Sequence, residues 1–522
     1  MSSSEATPAV PGDSPAKAPT IHPILQNALR VTLSAKEYRV LHGIAAKRAP
    51  NVKAKLISPS SFDVMAQSKN RHSEAALRAS LRLFVGSGLV LKLLEAVMSR
   101  VRGGTAEKKP RTALHRSPTL RLSFSLSLLL LLHRLLYRFL VRLRANLRTD
   151  DAEPFRERNP RISRALTSRF APAVGASLAG LAVGIMPQEQ LRLTGAIYWS
   201  VKSLEFLFNA VDSKGLLDKR PWWFGSWLLM PVSCAQLFHA FVFDRETTPK
   251  WFGNVIMKLS PSYIPGRPES LPANIAWPEK EQIVDSLASI ADLRWPAFVS
   301  PILHPGDPNT LPSAVAAISP ITGPAHPSIT QLSCALLHPA RFLTAVTLAL
   351  SIPKIKSIIT QPISSIDSIS KRIIKMTAVL SVAIGAAWGS VCMLNSTLPR
   401  STLSTKRFFL SGALGGLPFM FLSSNRNIFL YFFRAAIDSA WKTGVKRGLW
   451  KGRRGGDMWI LVASWAAIGC LLEANPSAVQ GSGLRKGLVW MRGDGFVDPE
   501  ALEKRRAARR ESKKAEAEAE NP

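Results

Sequence analysis

Acidic residues and cysteines are both scarce in this 522-residue chain. Asp and Glu number 35 against 68 Lys and Arg, a formal net charge of +33. The four cysteines, Cys234, Cys334, Cys392 and Cys470, lie in apolar sequence and make no CxxC pair. That argues against a disulfide framework or a zinc site and leaves them as small buried residues. The N-terminus, MSSSEATPAVPGDSPAKAPT, has no basic stretch followed by an apolar core, so a cleaved secretory signal is not expected. Glu5, Asp13 and the lack of arginine there speak against a mitochondrial presequence, and targeting information is expected inside the chain. Also missing are GxGxxG after a strand, GxxxxGK[ST], HExxH and a nucleophile elbow. The expectation is no enzyme, no cofactor and no metal. Cys334 and His338 share a helical spacing, but Pro339 follows at once and two ligands do not make a site.

What the chain does have is length without charge. Phe170 to Gln188, Pro221 to Phe243, Met376 to Pro399 and Phe408 to Asn425 each approach the roughly 20 residues that a spanning helix needs. We expect an all-α membrane protein, a polytopic helical bundle of two repeated glycine-rich units with disordered termini. The positive charge would also suit nucleic acid. Here, however, the basic residues flank apolar runs, where they suit the lipid bilayer and its anionic headgroups; no nucleic-acid partner is expected. In LSFSLSLLLLLHRLLYRFLVRLRANLR (122–148), Arg134, Arg138 and Arg142 stand one turn apart, placed to reach phosphates from a helix leaving the acyl region.

The expected order is a disordered terminus (1–35), a helical membrane-associated region with a basic flank (36–150) and a first membrane repeat (165–265). A Pro-rich polar connector (266–330), a short apolar helix and linker (331–370), a second membrane repeat (371–495) and a charged tail (496–522) follow. One amphipathic helix, about 278–293, is expected inside the connector. The repeat rests on order. Each half has a small-residue helix after Arg-Phe, then an interrupted helix, a Lys-containing Gly-Leu turn (215–216 and 448–449) and a Trp-led apolar run.

Three ladders of small residues spaced by four fall in these halves: Ala176, Gly180 and Gly184; Ser381, Gly385 and Gly389; Gly412 and Gly416. In lipid, helices associate through close backbone contact, which small side chains permit, so these are the expected helix-packing positions. Charges mark the interrupted helices. Lys202 and Glu205 stand three apart in the first, and Arg434, Asp438 and Lys442 follow a four-residue spacing in the second. Such a polar intramembrane face either lines a polar groove or pairs with itself so that the helix can lie at the interface. His239, alone in an apolar run, is expected to hydrogen-bond inside the bundle.

SVAIGAAWGSVCMLNSTLP (381–399), followed by RFFLSGALGGLPFMFLSSNR (407–426), resembles the paired glycine-rich helices of the translocase of the inner membrane 17/22/23 superfamily. The arrangement as a whole resembles the transmembrane protein 135 family, in which a long connector joins two such units; FFRAAIDSAWKTGVKRG belongs to the closer-matching second unit. Animal members of that family carry a cysteine-rich N-terminal region, whereas this chain has no cysteine before Cys234. The resemblance implies a noncatalytic integral membrane protein of peroxisomes first and mitochondria second, acting in organelle organisation, dynamics and lipid homeostasis. Its implied partners are other organelle membrane proteins or a second copy of the chain. The competing expectation is a membrane transporter or translocase-like channel whose polar face at Arg434, Asp438 and Lys442 lines a path.

Overall fold

The computed structural model describes residues 28–29, 32–48, 57–66, 71–101, 117–186, 189–261, 263–264, 279–294, 344, 360–399, 401–422 and 425–520. Among them there is no strand. In chain order the α-helices are α1 (Ala35–Arg48), α2 (Pro59–Ala66), α3 (Arg71–Val101), α4 (Pro118–Asn146), α5 (Glu153–Arg158), α6 (Pro160–Thr167) and α7 (Ala171–Ser177). They continue as α8 (Glu189–Asp212), α9 (Leu229–Phe243), α10 (Lys250–Leu259), α11 (Lys280–Asp292), α12 (Pro362–Thr397) and α13 (Lys406–Gly416). The last four are α14 (Arg426–Lys446), α15 (Gly456–Ala474), α16 (Ser482–Arg492) and α17 (Pro499–Glu520). The amphipathic helix expected near 278–293 is α11. The apolar segment 334–353, with Cys334 and His338, lies outside the described residues.

Among the described residues, four helices are long and apolar enough to cross a membrane: α4, Ser226–Phe243, α12 and α15. They make this an all-α chain with the elements of an integral membrane protein. Two of the stretches expected to span do not form one straight helix. After α7 the chain tightens into a 3-10 segment, Leu178–Ile185, and with α6 it makes a pair bent by 87°. After α13 it tightens into Leu417–Leu422. Pro418 has no N–H to continue the α ladder, and Gly180 and Gly184 weaken the α-helix at the other break. Conversely α4 and α15, which lie outside those four stretches, satisfy the length and apolarity needed.

Two compact units form, and they cut across the blocks 165–265 and 371–495. Unit 1 comprises Met1–Gly215 with Gly455–Pro522; unit 2 comprises Leu216–Arg454. In unit 1 the Ser/Leu half of α4 turns its serines inward. Ser127 Oγ donates to the Ser80 carbonyl of α3 at 2.7 Å, and Ser125 Oγ donates to the Ala182 carbonyl at 2.9 Å. Small hydroxyl side chains let backbones approach and cover each other's carbonyls. Leu129, Ala182, Val183 and Leu461 form one apolar cluster there, and Phe206, Ile468 and Leu472 another. Segment 171–185 packs on both α4 and α15, and α8 packs along α15.

In unit 2, α9 is the central element, packed by α13 and by α14, while α12 flanks α13. Phe238, Phe241, Trp388 and Phe408 form the main cluster, and Met230, Ala383, Phe419 and Phe429 the second. Trp388 is fully buried, and its Nε1–H donates to Ser260 Oγ at 3.0 Å.

Candidate functional site

The glycines come first because they set how closely the helices approach. In unit 2, a Cβ on Gly412 would stand 2.5 Å from the Cys234 carbonyl oxygen and 2.8 Å from Ala235 Cα. One on Gly416 would stand 2.5 Å from Pro231 N. All three atoms belong to α9 backbone, so no side chain fits at either place. In unit 1, a Cβ on Gly180 would meet Val462 at 3.1 Å and one on Gly184 would meet Met458 at 2.6 Å. Ala176 is fully buried beside them.

The ladder of Ser381, Gly385 and Gly389 behaves differently. A Cβ on Gly389 would meet nothing within 4 Å. Gly385 and Gly389 instead line an open groove. Ser381 keeps a buried hydroxyl with no partner. The side of α12 that meets α13 is carried by Ala383 and Ala387, against which Gly415 leaves no room: its Cβ would stand 2.7 Å from Ala387 Cβ. Helical rotation puts those alanines about half a turn from the glycines, so counting small residues could not tell which side packs.

The charged positions pair inside their own helices. Lys202 Nζ donates to the buried Glu205 carboxylate at 2.7 Å and lies 5.7 Å from the Phe206 ring centre. Lys442 Nζ donates to Asp438 at 2.7 Å, and Arg434 Nε donates to the Leu430 carbonyl at 2.9 Å. His239 packs against the rings of Phe243 and Phe409.

Several polar anchors escaped the sequence reading. Arg407, fully buried, donates to Asn395 Oδ1 at 2.6 Å and to the carbonyls of Pro399 and Thr402 at 2.5 and 3.1 Å, which closes the turn between α12 and α13. Arg134 points inward, its guanidinium donating to the Trp490 carbonyl at 2.7 Å and lying 4.8 Å from that ring's centre. It serves unit 1 packing, while Arg138 and Arg142 remain exposed. In the same unit Glu473 accepts from Arg492 at 2.6 Å and from the Tyr137 hydroxyl at 3.1 Å. Asp244 of unit 2 accepts from Arg447 at 2.6 Å. Only the partners' positions in space reveal these roles, since an arginine beside an apolar run reads equally well as a lipid anchor.

Arg485 fixes the base of α17. It binds Asp498 through two nitrogens at 2.7 and 2.9 Å and Glu500 at 2.6 Å. Bidentate hydrogen bonding from Arg485 holds the Asp498 carboxyl below its ordinary value of 3.8.

A concavity of about 760 Å³ lies in unit 2 between α12 and the arm formed by α13 and its 3-10 extension. Its wall is apolar apart from Lys375 and Ser390. A cavity of about 30 Å³ in unit 1, beside His133 and Trp465, has room for a single water. No family model, curated protein or solved structure matches this chain.

Proposed function

We propose that this chain is a noncatalytic integral membrane protein of an intracellular organelle, the peroxisome first and the mitochondrion second, and that it serves organelle organisation and lipid homeostasis. The organelle and the role rest on the resemblance to the transmembrane protein 135 family. The observation that carries the scaffold part of the reading is the in-helix pairing of Lys202 with Glu205 and of Lys442 with Asp438. Ions neutralised along one helix keep the charges compatible with lipid without opening a path.

The two units also support descent from one duplicated unit whose last helices have been exchanged. In each, a glycine-bearing arm runs antiparallel to a Trp-led helix: 180 and 184 meet 462 and 458, and 412 and 416 meet 235 and 231. Within each, the charged helix ends beside the C-terminal end of that same Trp-led helix. Asn209 donates to the Ala478 carbonyl at 3.0 Å in unit 1; Thr247 and Thr443 share a hydrogen bond of 2.8 Å in unit 2. Gly215 and Gly448, which end the charged helices, have φ of 71° and 70°, and Ser233 and Ser464 both hydrogen-bond the carbonyl four residues back. Unit 1 takes its Trp-led helix, α15, from the second half of the sequence, and unit 2 takes α9 from the first.

Fluorescent tagging against peroxisomal and mitochondrial markers tests the location, and signal confined to the plasma membrane or nucleus would overturn it. Joint neutralisation of Arg434 and Asp438 tests the role. A scaffold loses folded protein; a transporter keeps its location and loses flux.

A further inference from the structure

We propose that the groove on α12 of unit 2 holds one acyl chain of an anionic phospholipid, whose net negative headgroup charge is met by Lys375 and Arg372. This rests on the membrane reading above and names the lipid class that the site selects. Along its length the groove offers no free hydrogen-bond donor: the Ser390 hydroxyl is turned back to the Ala387 carbonyl at 3.1 Å. Its ligand is therefore apolar over that length. The open floor at Gly389, where a Cβ would meet nothing within 4 Å, leaves room that Gly412, Gly415 and Gly416 of α13 do not leave. Phe421, 64 % exposed, and Leu417 form the opposite wall.

Charge enters at one end. α12 has 36 residues, about 54 Å at 1.5 Å per residue, well beyond the roughly 30 Å of a hydrocarbon core. Its apolar stretch begins at Met376, so Lys375 sits at the boundary, with Arg372 one turn earlier; both are exposed. Lys371, in the same turn, is already paired with Asp367 at 2.8 Å. A tail that leaves the bilayer for an apolar groove exchanges one apolar medium for another, so burial selects nothing. Selection falls to the headgroup, and two cations at the mouth favour an anionic one.

The test is native mass spectrometry of the detergent-released full chain, with dioleoyl phosphatidylserine or dioleoyl phosphatidylcholine added. The expected result is preferential retention of phosphatidylserine, reduced about fivefold for each charge removed in Lys375→Ala and Arg372→Ala. Other basic patches also attract anionic lipid, so the discriminating variant is Gly389→Phe, which fills the groove in open space. It should lose the retained lipid while its melting temperature and monodispersity match the wild type; Val382→Trp, from the same wall, serves as a second filling variant. Equal retention of the two lipids, or full retention of phosphatidylserine by both filled variants, overturns the proposal. So does a wild-type dimer that the filled variants convert to monomer, since a second copy would then occupy the groove. Alkaline carbonate extraction separates the two levels of inference. Release of the chain defeats the membrane reading itself, whereas membrane retention with unchanged lipid binding defeats only the groove.

Discussion

Replacing Gly412 by alanine adds one carbon where two backbones of unit 2 touch. The new atom would stand 2.5 Å from the Cys234 carbonyl oxygen, 2.8 Å from Ala235 Cα and 2.9 Å from Phe238 Cβ. Carbon atoms rest at about 3.5–4.0 Å, so α9 and α13 must separate by about 1 Å. Overpacking of this kind costs about 1–3 kcal/mol, and the better helix propensity of alanine returns about 1 kcal/mol at most. The expected net loss is about 1–2 kcal/mol. Gly389→Ala is the matched control. Its methyl group enters open space, so it keeps the propensity gain and meets no contact. For a unit of this size, 1 kcal/mol moves Tm by about 2–4 °C. Gly412→Ala should therefore melt about 2–8 °C below wild type and Gly389→Ala at or slightly above it. The assay is the fraction of detergent-solubilised full chain that stays monodisperse on size exclusion after heating. A Gly412→Ala protein as stable as wild type, or a Gly389→Ala protein below it, would refute the contact argument.

Arg407→Lys should cost on the order of 2–3 kcal/mol, because an ammonium cannot serve Asn395, Pro399 and Thr402 together; a melting temperature within 1–2 °C of wild type would contradict this. Lys202→Met or Glu205→Gln alone should lower the yield of folded protein sharply, on the order of 3 kcal/mol, whereas the double replacement by methionines should recover most of it; a double variant no better than the singles would show that the pair is not self-contained. The carboxyl of Asp498 is held below its ordinary value, so the contribution of its clamp to stability is present above about pH 4 and fades as pH falls below it. Hydrogen-exchange protection across α17, corrected for the pH dependence of the intrinsic amide rate, should accordingly fall as pH drops below about 4, and Asp498→Asn should give the same loosening at pH 7. Corrected protection that stays constant as pH falls, or an Asn variant with a protected base of α17, would rule the clamp out.

Much of the local architecture was legible along the chain. The spans at α9 and α12 and the connector helix α11 follow from runs of apolar or charged residues, which act within a few turns, whereas α17 forms where a disordered terminus was expected. The breaks after α7 and α13 were less legible, because four residues of glycine spacing look alike in an α-helix and in a helix that tightens to 3-10. The facing of the Ser381 ladder was not legible: Gly385 and Gly389 have the composition of a packing stripe, yet Ala383 and Ala387 meet α13. Among the charges, Lys202 with Glu205 and Asp438 with Lys442 could be read from spacing. Arg134, Arg407, Arg447 and Arg485 could not, since their carbonyl and carboxylate partners come together only in the fold.

The sequence by itself determined that the chain is helical and long enough in its apolar runs to sit in a membrane, since hydropathy and helix propensity are summed over neighbours. It also determined the order of helix types in each half. Only the tertiary structure decided which Trp-led helix serves which glycine arm. α9 and α15 are both short apolar helices opening near tryptophan, and local energetics cannot choose between them. The choice is made by surface fit, where Gly412 and Gly416 admit the backbone of residues 230–235 and Gly180 and Gly184 admit Val462 and Met458. Such a fit depends on residues more than 170 positions apart, and it exists only once the backbones are in contact.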